Sequence, residues 1–195
     1  MRYLFLLPVA VVLASCAQSR NVANAAVGYA FARPQIKASP TDAVNTGHWD
    51  VPAGLTGPHR IDVDTNLQVA RYYIGSRQVG WSNISSGKAG HGTPSGTFRV
   101  LSKDANHKSS TYGSIVDAAG NTLVADYTAG QPVPAGGRYK GAEMNNALQL
   151  TTTGIWMHEG VVTGATESHG CIRLPKEMAK IFFDNTPVGT VVNIK

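Results

Sequence analysis

The strongest candidate for chemistry in this sequence is Cys171, which ends the run Ser168-His169-Gly170-Cys171 and has a second histidine, His158, thirteen positions upstream. A neutral thiol attacks carbonyls poorly, so a nucleophilic cysteine needs a nearby base or positive charge, and either histidine can supply it. Gly170 lets a substrate approach closely, and the backbone N–H groups of Gly170 and Cys171 can together stabilise a developing oxyanion. These residue types are typical of acyl transfer.

Chemistry alone leaves other interpretations open. Free cysteine is commonly buried, so Cys171 could be an inert core residue beside incidental histidines. His158, His169 and Cys171 are ligand types that suit zinc, although their spacing matches no common finger or His-Glu-x-x-His helix. The glycine-rich loop Gly87–Gly96 lacks Gly-Lys-Ser/Thr, so a phosphate site is not indicated, and its Thr93–Gly96 segment predicts a β-turn.

Short strands joined by tight turns are expected to position these residues. The chain has 21 glycines and 10 prolines and only one clear helical period, which favours a mainly β fold. Alternating polar and apolar residues predict a three-stranded meander over 60–64, 67–74 and 78–84, with a turn at Gly75-Ser76. Further strands are predicted over 97–101, 148–157 and 190–194, and a helix over 175–185. His158 then follows the end of a strand, and Cys171 lies between that strand and the helix.

The composition indicates one globular domain and gives little support to nucleic-acid binding. Hydrophobic residues make up 43% of the chain and charged residues 15%. The formal net charge of +5 is mild, and the sequence has no Lys/Arg run, aromatic RNA-binding motif or finger spacing. We therefore expect no nucleic-acid partner.

The amino terminus predicts export and lipid anchoring. Met1-Arg2 is a short basic region, and the apolar run Tyr3–Leu13 is too short to span a bilayer. The segment Leu13–Cys16 resembles the lipobox of bacterial lipoproteins, which implies a signal peptide over 1–15 and a diacylglycerol on Cys16. Several acyl chains would hold the protein firmly on a membrane. The alternative is ordinary cleavage after Ala23-Asn24-Ala25, which discards Cys16.

The predicted anchor places the protein in the periplasm. Because Ala17 rather than Asp follows Cys16, the inner leaflet of the outer membrane is the expected site. Residues 16–57 are rich in Ala, Asn, Pro and Gly and are interpreted as a tether that lets the domain at 58–195 reach a polymer at some distance from the membrane. With Cys16 lipidated, Cys171 is the only free thiol in an oxidising compartment, where an unpaired cysteine is a hazard unless it is used.

The run Ser168–Arg173 is similar to the signature of the L,D-transpeptidase family of YkuD type, which reads Ser-His-Gly-Cys, an aliphatic residue, and Arg or Asn. Met157-His158, the Gly87-Lys88 loop with Thr93–Phe98, and the closing helix and strand follow in the family's order. The resemblance covers about Arg60 to Lys195.

This resemblance implies a β-sandwich or curled barrel with one or two short helices and no metal or cofactor. Cys171 would attack a peptidoglycan stem peptide, form a thioester and pass the acyl group to an amine of another stem, or to a lysine of an envelope protein. His158 would be the general base, and His169 would line the cleft. Ser168 would fix the loop, and Arg173 would hold that loop or a substrate carboxylate through its forked donors.

Two departures from the family pattern keep other activities open. Glu159 stands where the family usually has a small residue whose carbonyl orients the imidazole, and we expect its carboxylate to face solvent. The interval between His158 and Cys171 is shorter than in many members. A shorter acceptor loop favours, as alternatives, a carboxypeptidase or amidase that hydrolyses the same acyl-enzyme. A noncatalytic lipoprotein that only binds peptidoglycan is the third possibility.

Overall fold

Two β-sheets hold residues 47–195, the part of the chain that this computed structural model describes. The first sheet contains β1 (Gly47–Trp49), β2 (His59–Asp64), β3 (Val69–Ile74), β4 (Arg77–Asn83), β5 (Gly96–Arg99) and β11 (Val191–Ile194). Its strand order is β1, β4, β3, β2, β11, β5, in which β11 pairs parallel to β2 and every other neighbour is antiparallel. The meander predicted from the sequence is confirmed.

The second sheet carries the candidate site. It contains β6 (Ser102–Val116), β7 (Thr122–Thr128), β8 (Arg138–Gln149), β9 (Trp156–Glu159) and β10 (Ile172–Leu174), in the order β10, β9, β8, β6, β7. Strands β9 and β10 are parallel, and the other pairs are antiparallel. Helix α1 (Lys176–Asn185) connects β10 to β11 and packs against β8 and β9.

Apolar side chains of both sheets and of α1 form one core. Alternate residues of β3 are buried, as expected for a strand with one face on a core. Tyr72 from this strand meets Trp49 and Phe182 edge to face, with ring centroids 5.0 and 5.2 Å from the tyrosine ring. Burying a side chain of this size stabilises the fold by about 1.5–3 kcal/mol. The core therefore fixes the second sheet and α1 against the first sheet.

The predicted mainly β fold with two sheets is confirmed, and residues 47–195 contain the single helix α1. The helix predicted over 175–185 begins one residue later, because Pro175 takes the cap position. Met178 and Phe182 on its apolar face are buried, and Ile181 is half-buried.

The strand predicted over 148–157 is wrong, because the chain reverses within it. β8 ends at Gln149, a turn follows, and β9 begins at Trp156. Thr151 Oγ1 accepts the Ile155 N–H at 3.0 Å, and Gly154 has a φ of 100°. The side-chain hydrogen bond and the glycine conformation close this turn locally.

Two further findings concern the amino-terminal half. The segment predicted as a tether, 16–57, is described only from residue 47, where Gly47–Trp49 forms β1 against β4. The predicted signal peptide and Cys16 lie outside the described residues. Among residues 47–195 no helix is both long enough and apolar enough to cross a bilayer.

Candidate active site

The parallel pair of β9 and β10 brings the predicted site residues together. Arg173 lies opposite His158 in this pair, and Ile172 lies opposite Met157. Met157 and Ile172 are buried in the core, so His158 and Arg173 project from the other face of the sheet. Cys171 immediately precedes β10, and all three side chains line one cleft.

His158 is oriented by the backbone of the following residue. Its Nδ1 lies 2.7 Å from the Glu159 carbonyl oxygen. A carbonyl oxygen only accepts, so Nδ1 carries the proton and Nε2 keeps a free lone pair. The side chain is 7% exposed, and this burial lowers its pKa from 6.5 to about 4, although the bond to Glu159 acts in the opposite direction. The imidazole is therefore neutral at neutral pH and able to accept a proton at Nε2.

Glu159 supplies the orienting carbonyl that the family pattern calls for, despite its larger side chain. Its carboxylate is half-buried at the cleft and accepts a hydrogen bond from Asn146 Nδ2 at 3.4 Å. The carboxylate was expected to face solvent, but in the structure it contacts Asn146 of β8.

Cys171 is a partly buried thiol at the same cleft. Its Sγ lies 3.5 Å from the Gly154 carbonyl oxygen, to which the S–H donates. Burial raises the pKa of the thiol above its ordinary 9.0, while a backbone hydrogen bond of Trp156 and the charge of Arg173 lower it by less. At neutral pH the cleft therefore holds a neutral thiol and a neutral imidazole.

Ser168 holds the turn that carries the cysteine. It is 1% exposed, and its Oγ accepts the Gly170 N–H at 3.1 Å and donates to the Cys171 carbonyl oxygen. The Gly170 N–H was predicted to stabilise an oxyanion together with that of Cys171. In the structure this N–H is used inside the loop instead, because Ser168 Oγ is within reach. The Ser168 and Glu167 N–H groups in turn donate to the Ser86 carbonyl at 3.0 and 2.9 Å.

His169 forms a wall of the cleft. Its ring stacks on Tyr112 with centroids 4.3 Å apart and meets His91 edge to face at 5.0 Å. Partial burial lowers the pKa of His169, and the charges of Lys88, His91 and Arg173 act in the same direction. His169 is therefore an aromatic wall that is mostly neutral at neutral pH.

Arg173 lies where two cavities meet. Its aliphatic stem passes against the backbone of Gly160. Within residues 47–195 no carboxylate lies at salt-bridge distance from its guanidinium. The charge of Arg173 lowers the pKa values of Cys171, His158 and His169. An unpaired guanidinium in this position can bind an anionic group of a ligand.

The cleft is large enough for a peptide. A cavity of about 540 Å³ contains Cys171 and His158, and a second of about 510 Å³ extends between β6, β7 and β8 past Asp126 and Lys140. The two cavities share five wall residues, namely Tyr112, Ala142, Glu143, His169 and Arg173. Sequence reasoning missed the wall residues from β6 and β8, because these strands carry no regular hydrophobic alternation.

Trp156 is a further wall residue that sequence reasoning missed. Its ring stacks on His107 with centroids 4.1 Å apart, and both rings line the cavity of Cys171.

The zinc site considered from the sequence has no support in the cleft, since no three His, Cys, Asp or Glu side chains of residues 47–195 converge as a metal site requires. His158, His169 and Cys171 are thus neighbours in one cleft without forming a ligand set.

The described residues thus form a two-sheet β fold with a cysteine and a histidine in one cleft at the edge of the second sheet. Residues 58–194 match the family model of the YkuD L,D-transpeptidase catalytic domain. The chain therefore belongs to this family, and the resemblance inferred from the Ser-His-Gly-Cys run is confirmed. No match was found among proteins of curated function.

Solved L,D-transpeptidases have a similar fold. One from Mycobacterium smegmatis is 22% identical, with 71% of this chain and 59% of that chain covered and a TM-score of 0.54. One from Xylanimonas cellulosilytica is 20% identical, with 74% and 63% covered and a TM-score of 0.53. L,D-transpeptidase 3 from Mycobacterium tuberculosis, solved with a faropenem-derived adduct, is 20% identical, with 70% and 60% covered and a TM-score of 0.51. The chain thus spans about three fifths of the length of these structures, and the likeness at this identity is one of fold.

Proposed function

We propose that the protein is a cysteine-dependent L,D-transpeptidase that acts on peptidoglycan stem peptides. One observation carries the proposal: a buried, neutral His158 with its Nε2 free shares a cleft with the Cys171 thiol. An imidazole that is neutral at working pH can take the thiol proton as the sulfur attacks, which is the role of a general base. Membership of the family supports a stem peptide as the acyl donor.

In the first half-reaction, Cys171 Sγ attacks the carbonyl of the third residue of a tetrapeptide stem. His158 Nε2 accepts the thiol proton, and the carbonyl oxygen becomes an oxyanion. The tetrahedral intermediate then collapses, the C–N bond to the terminal D-alanine breaks, and the leaving amine takes the proton from His158. A thioester on Cys171 and free D-alanine remain.

In the second half-reaction, an acceptor amine attacks the thioester carbonyl. His158 Nε2 takes a proton from the amine and returns it to the departing thiolate, so the enzyme is restored and an amide bond is formed. An amine of a neighbouring stem gives a three-to-three crosslink, and a lysine of an envelope protein gives an attached protein. The unpaired Arg173 guanidinium is suited to a stem carboxylate during either step.

The test is intact-mass spectrometry of the protein with disaccharide tetrapeptide, with and without an acceptor stem. We expect an acyl adduct on Cys171, release of D-alanine and a crosslinked dimer that requires the acceptor. His158→Asn and Cys171→Ala are the matched variants, and both should lack the dimer. Crosslinking by Cys171→Ala would refute the proposal, and binding without any adduct would indicate a noncatalytic peptidoglycan-binding protein.

Hydrolysis of the same acyl-enzyme is the second candidate. The segment between His158 and the Ser168 turn is short, and Val161 within it is 72% exposed at the cavity that contains Cys171. An open wall admits water to the thioester. Release of D-alanine with a free tripeptide and no dimer, in the presence of acceptor, would establish a carboxypeptidase. Release of an attached protein would establish an amidase.

The protein must be exported to reach the proposed substrate, and the signal-like sequence of residues 1–16 supports export. We propose that the signal is cleaved before Cys16, that Cys16 carries the lipid, and that the domain faces the periplasm from the outer membrane. Fractionation tests this: the wild type should be found with membranes and Cys16→Ala in the soluble periplasmic fraction. Soluble wild type would instead favour ordinary cleavage after Ala25.

A further inference from the structure

Thr93 contacts the backbone of the cysteine turn, a role that the β-turn predicted for its segment does not explain. Its Oγ1 lies 2.8 Å from the Gly170 carbonyl oxygen and 2.9 Å from the Gly87 backbone nitrogen. The Gly87 N–H can only donate and the Gly170 carbonyl can only accept. The single hydroxyl proton of Thr93 is therefore directed at Gly170.

The loop around Thr93 is built to hold it in this place. A Cβ on Gly87 would lie 2.0 Å from the His91 carbonyl oxygen and 2.7 Å from the Thr93 nitrogen, so only glycine allows the loop to fold back this closely. The Lys88 N–H donates to the Ser168 carbonyl at 2.9 Å, which fastens the same loop to the cysteine turn. Thr93 is thus carried on a segment that is itself bonded to the site.

The bond from Thr93 fixes the direction of the Cys171 N–H. In a trans peptide the carbonyl of one residue and the N–H of the next point in opposite directions. Residues 47–195 contain no cis peptide, so the Cys171 N–H points away from Thr93. Ser168 holds the flanking Gly170 N–H and Cys171 carbonyl, and Gly170 has a φ of 114°, which glycine accepts readily. This peptide plane is therefore held on both sides.

We propose that Thr93 is a positioning residue that aims the Cys171 N–H at the oxyanion formed when Cys171 attacks a carbonyl. The inference rests on the acyl transfer proposed above. It assigns the oxyanion donor to Cys171 and not to Gly170, whose N–H is bonded to Ser168 Oγ. Aimed backbone donors stabilise the transition state because they need no reorganisation when charge develops.

Two reactions of the same thiol separate this role from a merely structural one. Faropenem acylates a thiol through an oxyanion at its lactam carbonyl, whereas iodoacetamide alkylates by displacing iodide and forms no oxyanion. Thr93→Val removes the hydroxyl at nearly constant shape, and Thr93→Ser keeps it. Thr97→Val is the matched control, because the exposed Thr97 on β5 donates from its Oγ1 to the Asn193 Oδ1 on β11 at 3.0 Å.

We expect Thr93→Val to lower the maximal rate of acylation by faropenem by about 10- to 100-fold, below the full effect of losing an oxyanion donor. The faropenem concentration at half-maximal rate and the rate of alkylation should stay within about twofold of wild type, and Thr93→Ser and Thr97→Val should match wild type. Equal losses in both reactions would show a structural role and overturn the proposal. No loss in either reaction would overturn it as well. If Thr93→Val does not fold, Thr93→Ala is measured against the same expectations.

The wild type distinguishes the two levels of inference. Alkylation without acylation by faropenem or by tetrapeptide in the wild type would overturn the proposed function, and the assignment of Thr93 with it. Normal acylation in the wild type with an unchanged Thr93→Val variant would overturn the assignment of Thr93 alone.

Discussion

Acidification should destabilise this protein through His158. Burial keeps the imidazole neutral in the folded state, with a pKa of about 4 against an ordinary value of 6.5. The unfolded chain therefore binds the proton more readily than the folded chain. The stabilisation is fully present above pH 6.5 and is lost as the pH falls through 4. At about 1.4 kcal/mol per pH unit, the free energy of unfolding at pH 4 is lower by about 3 kcal/mol than it is above pH 6.5.

His158→Asn isolates this contribution. Asparagine can keep a donor near the position of Nδ1, and so keep the hydrogen bond to the Glu159 carbonyl, but it does not titrate. Urea unfolding followed by tryptophan fluorescence at several pH values between 7.5 and 4 gives the free energy of unfolding of both proteins. The carboxylates of Asp64, Asp104 and Asp117 also have lowered pKa values, so their protonation destabilises the folded protein at still lower pH. This effect is the same in both proteins and cancels in the comparison.

The difference between the two curves is the measured quantity. We expect wild type to lose about 3 kcal/mol more than His158→Asn between pH 7 and pH 4. Parallel curves would refute the reasoning, because they would mean that the imidazole is as easily protonated in the folded protein as in the unfolded one.

Three further predictions concern the cysteine turn and the Gly87–Thr93 loop bonded to it. Because burial raises the pKa of Cys171, its rate of alkylation by iodoacetamide should keep rising from pH 7 to pH 9, and a plateau near neutrality would show a preformed thiolate. Ser168→Ala should lower the free energy of unfolding, measured in urea, by about 1–3 kcal/mol, since it leaves the Gly170 N–H and the Cys171 carbonyl without their partner. Ser102 is half-buried and bonds only a side chain, so an equal loss on Ser102→Ala would contradict this prediction. Gly87→Ala should lower the thermal midpoint because its Cβ meets a backbone carbonyl, whereas the neighbouring Gly92→Ala, with open space around it, should not.

The parts of the fold with strong hydrophobic periodicity were predictable. The meander β2–β4 and the helix α1 each bury one regular face, and the sequence shows that period directly. Strands β6 to β8 were missed because few of their residues are buried and strand pairing holds them together, which leaves no hydrophobic period in the sequence. The reversal at Thr151–Gly154 was missed because three threonines favour a strand, while a side-chain bond to Ile155 decides for a turn.

The residue types of the candidate site were predictable, but their electrostatics were not. The Ser-His-Gly-Cys run points to Cys171 within one short segment, and Met157-His158 at the end of a predicted strand points to His158. Burial is a property of the assembled sheets, so the depressed pKa of His158 and the raised pKa of Cys171 are visible only in the structure. The same holds for Thr93 and Gly170, which are 77 residues apart in sequence and bonded in the fold.

These opposite pKa shifts bear on how the thiol is activated. Burial raises the pKa of the thiol above 9.0 and lowers the pKa of the imidazole to about 4, so both shifts oppose moving the proton from sulfur to nitrogen in the free enzyme. In the proposed reaction we therefore expect the proton to move together with formation of the C–S bond, when the negative charge passes from sulfur to the substrate oxygen. A donor already aimed at that oxygen lowers this barrier most, because its orientation is set before the charge appears. If the proposed reaction holds, the burial that keeps His158 neutral also makes the rate depend on the direction of the Cys171 N–H, and therefore on Thr93.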